Sequence, residues 1–147
     1  MLIYDLNANP LNSNEWAFPL TECFHITSSA LSIGMIALVD LRLLGWAFKR
    51  QTAGQLVKDT WIWTLAGLII VIISGLLIFS SDPIRYIYNG GFQYKMLALV
   101  LAIVFNYTIH RKVALSNSST SAAKLVGGLS VLLWILVPFG GIWISFV

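Results

Sequence analysis

The sequence predicts an all-α protein: a bundle of four transmembrane helices with both termini on the outer, periplasmic side. Three observations carry this. Of the 147 residues, 58% are hydrophobic and only 10% are Asp, Glu, Lys or Arg, whereas a soluble domain carries about 25% charge. The mean hydropathy is +0.82, so lipid must be the solvent for much of the surface. At roughly 20 apolar residues per crossing the chain has room for four spans joined by short loops, and polar, turn-forming stretches fall where the loops are needed. One membrane domain, 1–147, is the economical reading.

Residues 1–18 are polar, with Asn7, Asn9, Asn12 and Asn14 and a breaker at Pro10, and are expected outside the bilayer. They hold Asp5 and Glu15 and no basic stretch, so no cleavable leader is expected and insertion relies on the first span. That span is expected at 19–48. The stretch KRQTAGQLVKD then reads as a loop around Gly54, and the second span, 60–79, is nearly free of polar groups. SSDPIRYIYNGG is a turn-rich connector, the third span is expected at 92–110, and RKVALSNSSTSAAK is a Ser-rich loop. The fourth span is expected at 125–147, with Pro138 and Gly140-Gly141 bending or loosening its last third.

Orientation follows from the basic residues. Seven of the nine Lys and Arg (Arg42, Lys49, Arg50, Lys58, Arg111, Lys112 and Lys124) flank the loops after spans one and three, and only Arg85 and Lys95 lie on the other side. The positive-inside rule puts those two loops in the cytoplasm. Aromatic belts agree, with Trp46, Trp61 and Trp63 inside and Trp16, Tyr86, Tyr88, Tyr94 and Trp143 outside. A glycosylation triplet, Asn117-Ser118-Ser119, is idle in such a loop. The net charge of +3 is spent on topology and forms no basic groove, so no nucleic-acid partner is expected; the partner is the lipid bilayer. The single cysteine, Cys23, excludes an intramolecular disulfide and a cysteine-rich metal cage.

Charge inside a span is expensive and marks a site to examine. At about 100° per residue, Glu22 and Asp40 share one azimuth of span one and His25 lies within about 60° of both. Span three repeats the pattern, with Asn106 about 20° and His110 about 60° from Lys95. The two polar faces are expected to point into the bundle and face each other. Depth sorts them into an outer layer of Glu22, His25 and Lys95, joined by Arg85 from the connector, and an inner layer of Asp40, Arg42, Asn106 and His110. The plainest reading is a pair of packing clamps, Glu22–Lys95 and Asp40–His110, worth about 0.6–2 kcal/mol each. The sharper reading is a binding site in each leaflet. Trp134 falls in mid-membrane, and its indole N–H is expected to point inward.

Two cofactors enter as expectations. Two histidines on facing helices are a usual axial pair for haem b, but His25 and His110 differ by roughly 18 Å in depth at 1.5 Å per residue, so they do not share one iron. Copper fits soft ligands. Cys23 and His25 are about 200° apart on one helix and cannot both turn inward, which leaves His25 with Met96 as the metal pair. Asp40 and His110 could relay protons, but the centre of span one offers only Ser29, Ser32 and Gly34. No nucleophile–base set, phosphate loop or HExxH is present, so catalysis by the chain alone is not expected.

The run PLTECFHITSSALSIGMIALVDLRLLG resembles the opening of a widespread group of uncharacterised bacterial four-helix membrane proteins, a family of unknown function. Its members pair a Glu with a His three positions on, then carry a Gly and an Asp-x-Arg-x-x-Gly ending, here Glu22, His25, Gly34, Asp40, Arg42 and Gly45. SGLLIFSSDPIRYIYNGGFQYKMLAL and NYTIHRKV resemble the same group's later signatures, through Gly75, Phe92, Lys95, Asn106 and His110. Span four departs: Gly140-Gly141 stands where the group carries a Gly-Arg pair. The resemblance implies a bacterial inner-membrane protein and no settled activity. In general look the group is similar to membrane components of copper-resistance systems and, more distantly, to small membrane cytochromes. Three roles are therefore expected to compete: an outer-layer site that handles copper or a periplasmic partner, a redox subunit that binds haem b or a quinone, and a structural subunit of a homo-oligomer or larger membrane complex.

Overall fold

The computed structural model describes residues 9–116 and 121–147, and all secondary structure among them is helical. Asp5, Asn7 and the Asn117-Ser118-Ser119 triplet lie outside the described residues. Among the described residues four helices are long and apolar enough to cross a membrane: Ala17–Leu44, Ala53–Ser81, Gly90–Leu115 and Ser121–Trp143. The chain is a multi-pass membrane protein. In chain order the elements are α1 (Pro10–Ser13), α2 (Ala17–Leu44), α3 (Ala53–Ser81), α4 (Pro83–Tyr88), α5 (Gly90–Phe105), a π-helical turn (Asn106–His110), α6 (Arg111–Leu115) and α7 (Ser121–Trp143).

Local chemistry sets the ends. α2 stops at Gly45, whose φ of 79° closes the helix as its N–H bonds to Arg42 O at 3.1 Å. The stretch expected as a loop around Gly54 is mostly helix instead. Thr52 Oγ1 accepts from Gln55 N at 3.2 Å while Gln55 Oε1 accepts from Thr52 N at 2.9 Å, a reciprocal capping box that starts α3 at Ala53. Gly54 falls in its first turn and is buried. α7 runs unbroken past Pro138 and Gly140 to Trp143.

The end where the described residues begin and finish, at Asn9 and Val147, here the terminal end, is knitted by asparagines. Asn9 Nδ2 donates to Ser80 O at 2.6 Å and Asn12 Nδ2 to Ser81 O at 2.9 Å, which fastens α1 to the end of α3. Asn89 caps α5 by accepting from Phe92 N at 3.0 Å and donates to Ile144 O at 3.1 Å, which fastens the C-terminal segment. Phe79, Tyr86 and Phe92 stack on one another between α3, α4 and α5, at centroid separations of 5.5–6.2 Å.

Packing is uneven around the bundle. α2 packs most extensively on α3, α5 on α7, and α2 on α7. α3 meets α4 and α6 but has no comparable backbone contact with α5, so this seam is the loose one. Glycines permit the close approaches: a Cβ on Gly67 would strike Ser32 Oγ, and one on Gly140 would lie 2.8 Å from the Tyr94 ring and 3.0 Å from Lys95 Cα. Two apolar clusters fill the interior. Val39, Leu43, Leu56, Val57, Ala114 and Ala123 sit at the loop end, and Ile36, Leu68, Ala98, Ala102, Trp134 and Val137 at mid-depth.

Candidate functional site

α2 and the third span (α5, the π-helical turn and α6) lie diagonally across the bundle, and their polar faces meet at both ends. At the loop end Asp40, 1% exposed, faces His110, 3% exposed, with Oδ1 and Nε2 2.6 Å apart. The second carboxylate oxygen accepts from Ser130 Oγ of α7 at 3.0 Å. Three helices thus converge on one carboxylate, and this is the one ion pair within 4.0 Å among the described residues. Such a pair in a dry interior is stable only when the remaining lone pairs are satisfied, which is the part Ser130 plays.

The π-helical turn builds the other side of this cluster. Arg111 N–H reaches back to Asn106 O, adding one residue to the turn that holds both Asn106 and His110. Single π turns in α-helices recur at functional sites. Asn106 is 7% exposed and its carboxamide has no hydrogen-bond partner among the described residues. It borders a cavity of about 220 Å³ between α3 and the π-helical turn, backed by α2. The floor is buried and mixed in polarity: Ile36, Val39, Val57, Thr60, Thr64, Asn106 and His110. The rim is Trp61, Leu65, Tyr107 and Arg111, all exposed on the outer surface of the bundle. The cavity therefore opens on the outer surface of the bundle, toward its loop end.

The terminal end is built differently. His25 is half-buried. Its Nδ1 lies 2.9 Å from Ser74 Oγ and its Nε2 lies 3.4 Å from Lys95 Nζ. The Ser74 hydroxyl proton is spent on Ile70 O at 2.6 Å, so Ser74 accepts from His25 Nδ1–H and Nε2 is left to accept from the Lys95 ammonium. The Lys95 side chain runs along α7, where a Cβ on Gly141 would lie 3.5 Å from Nζ.

Several residues expected at these sites stand elsewhere. Glu22 is exposed, and no ion pair joins it to Lys95 among the described residues. Arg42 leaves the inner layer because two residues turn a helix by about 200°; its Nε donates to Gln51 O and braces the α2–α3 loop. Arg85 is exposed on α4, beside Asp82 and Tyr86 in a shallow hollow. Burial raises the Tyr86 hydroxyl pKa there, and the Arg85 guanidinium pulls it back down. Met96 is 41% exposed, on the lipid side of α5. No group of three or more His, Cys, Asp or Glu stands together among the described residues. His25 Nε2 faces a cation, which does not fit a copper ligand. His25 sits on α2 and His110 on the π-helical turn, at opposite ends and about 22 Å apart by the rise from His25 to Asp40, which does not fit a shared haem. Trp134 points inward at 3% exposure, and its Nε1–H is the one buried side-chain nitrogen or oxygen without a partner among the described residues.

Comparison with known families covers nearly all of this structure. A family model of unknown function, DUF6644, matches residues 17–147. The chain belongs to that family. The matched region contains α2 to α7, and so both polar clusters and the cavity. No curated protein and no solved structure matches the chain.

Sequence reading missed Ser130, Thr60, Thr64 and the rim of the cavity. Ser130 lies four residues before Trp134, on the face of α7 that also buries Gly127 and Val137. Thr60 and Thr64 lie four apart, in line with Gly67 and Ser74 on the buried face of α3. Those spacings are the signal: a small polar residue repeating in step with buried glycines.

Proposed function

We propose that the protein sits in the bacterial inner membrane with its loop end in the cytoplasm and that it binds a lipid-soluble quinone-type ligand in the cavity between α3 and the π-helical turn. The observation that carries this reading is an opening on the outer surface of the bundle whose buried floor holds a partnerless carboxamide, Asn106, beside the Asp40–His110 pair. The seven basic residues at the loop end support the orientation.

Size and polarity select the ligand class. Drug-sized ligands need roughly 300–1,000 Å³, so a cavity of about 220 Å³ takes a single ring with small substituents and leaves a tail outside. An opening on the outer surface of the bundle lets a long apolar tail remain in lipid. Trp61 and Tyr107 at the rim offer aromatic faces to a flat ring. Asn106 offers both a donor and an acceptor to ring oxygens. Binding, rather than catalysis by the isolated chain, is the proposed role. The terminal-end cluster supports a copper site less well, since His25 has both nitrogens engaged and Met96 faces outward.

The test is a titration of the protein in nanodiscs with a decyl-substituted benzoquinone, read by Trp61 and Tyr107 fluorescence quenching against a Trp61→Phe control. Asn106→Leu keeps the volume and removes the polar head contact. It is expected to weaken binding at least tenfold while leaving the helical spectrum unchanged. Equal binding by wild type and Asn106→Leu overturns the reading.

A further inference from the structure

We infer that a second site, the hollow at the terminal end lined by Asp82 and Arg85, holds the headgroup of a phospholipid that carries both a phosphate and a primary ammonium. It lies at the other end of the bundle from the quinone cavity and does not depend on that reading.

Position selects a lipid. The hollow measures about 240 Å³ and is lined by Asn12, Phe18, Ser81, Asp82, Arg85 and Tyr86. Phe18 opens the first span and Ser81 closes the second, so the hollow stands where two spans leave the membrane, at headgroup depth. Leu20 on α2 and Ile84 and Ile87 on α4 follow the lining residues closely along the chain; they are exposed and offer apolar surface to acyl chains. Drug-sized ligands need roughly 300–1,000 Å³, so this space takes a headgroup and leaves the chains in lipid. Its walls are fixed. The Tyr86 ring packs on Phe79 and Phe92 at centroid separations of 6.2 and 5.5 Å, and Asn12 Nδ2 donates to Ser81 O at 2.9 Å, which holds α1 in place.

Charge selects the headgroup. Opposite charges three residues apart on a helix ordinarily pair. Asp82 and Arg85 are three apart, yet no ion pair within 4.0 Å joins them; Asp40–His110 is the one such pair among the described residues. Asp82 turns to the backbone instead, where Oδ1 accepts from Arg85 N at 3.1 Å and caps α4. Its Oδ2 and the Arg85 guanidinium have no hydrogen-bond partner among the described residues. The hollow therefore presents two opposite charges that do not neutralise each other in contact. A simple anion meets repulsion from Asp82, and a simple cation meets repulsion from Arg85. A phosphate with a primary ammonium on a short arm satisfies both. The guanidinium donates to phosphate oxygens in the forked geometry that suits it, and the ammonium donates to Asp82 Oδ2. A quaternary ammonium has no N–H for Asp82, and a glycerol headgroup has no positive charge.

The experiment titrates the protein in detergent micelles with phosphatidylethanolamine, phosphatidylcholine and phosphatidylglycerol of identical chains, read by native mass spectrometry. Phosphatidylethanolamine is expected to bind about fivefold more tightly than either of the others. Arg85→Gln is expected to weaken its binding about fivefold. Asp82→Asn keeps a side-chain oxygen to cap α4 and is expected to bring phosphatidylethanolamine within about twofold of phosphatidylcholine. Equal affinities for the three lipids overturn the inference, and so does a preference that survives either substitution. A last arm separates lipid from solute. Soluble glycerophosphoethanolamine carries the same charges without acyl chains and is expected to leave the bound lipid in place at equal concentration. Displacement of the lipid under those conditions would assign the hollow to a soluble zwitterion and overturn the lipid reading.

Discussion

At the loop end Asp40 and His110 meet at 2.6 Å with both side chains almost fully buried, and Ser130 from a third helix completes the carboxylate. At the terminal end Lys95 stands 3.4 Å from a half-buried His25, and no carboxylate is in contact with either among the described residues. The same two spans, the first and the third, supply the facing residues of both clusters, and the difference lies in what α7 brings. It offers Ser130 to the loop end and the bare surface of Gly140 and Gly141 to the terminal end. A hydroxyl satisfies a buried charge; two glycines merely let a long lysine lie flat.

This contrast predicts unequal costs. Asp40→Ala strips His110 and Ser130 of their shared partner and is expected to destabilise by about 3 kcal/mol, the low end for breaking a buried pair. His25→Ala removes contacts that are half-exposed and is expected to cost about 1 kcal/mol. Unfolding by SDS titration in mixed micelles measures both. Equal costs would mean that the terminal end is as closed as the loop end.

The glycines sharpen the same comparison. A Cβ on Gly127 would lie 3.0 Å from Leu43 Cβ and 3.2 Å from Asp40 O, whereas one on Gly141 meets only the flexible end of Lys95, at 3.5 Å or more. Gly127→Ala is expected to cost about 1–2 kcal/mol through overpacking against α2. Gly141→Ala is expected to be neutral or to gain up to about 1 kcal/mol from helix propensity. The reverse order in the same unfolding assay would place the tight joint at the wrong end.

How much of this was readable beforehand depends on the kind of signal. Span count follows from runs of apolar residues, and these are local. The azimuths of His25, Asp40, Lys95 and His110 follow from helix geometry, so their inward placement was legible. Two things were not. The Thr52–Gln55 capping box extends α3 through a polar stretch that hydropathy alone reads as loop. The partners of Asp40 and Lys95 depend on which helix lies between α2 and α5, and no periodicity in one helix states where the fourth one packs. Arg42 is a separate case: its displacement followed from the same helical arithmetic that grouped Glu22 with Asp40, because it stands only two residues beyond the aspartate.

Serine substitutions probe the smaller terms. Ser130→Ala leaves one buried carboxylate oxygen without a donor and is expected to cost about 1 kcal/mol. Ser74→Ala leaves His25 Nδ1–H in a half-open position, where a water or lipid oxygen replaces the hydroxyl, and about 0.5 kcal/mol is expected. A larger loss for Ser74→Ala than for Ser130→Ala would invert the assignment of the buried site.

The smallest effect is expected where a charge is removed. Lys95→Met keeps the length of the apolar stem along Gly141 and deletes the ammonium. The loss is one hydrogen bond to a neutral nitrogen, worth about 0.6 kcal/mol inside a membrane. The gain is relief from holding a cation in a half-buried position without a contacting carboxylate. The two nearly cancel, and a net change within about 0.5 kcal/mol is expected. If Lys95 and Glu22 were a true ion pair, Lys95→Met would strand Glu22 and cost several times more, and a double-mutant cycle with Glu22→Gln would show coupling of about 1 kcal/mol or above. Absence of coupling there, set beside strong coupling between Asp40→Asn and His110→Gln, would separate a field acting at a distance from a bond made in contact.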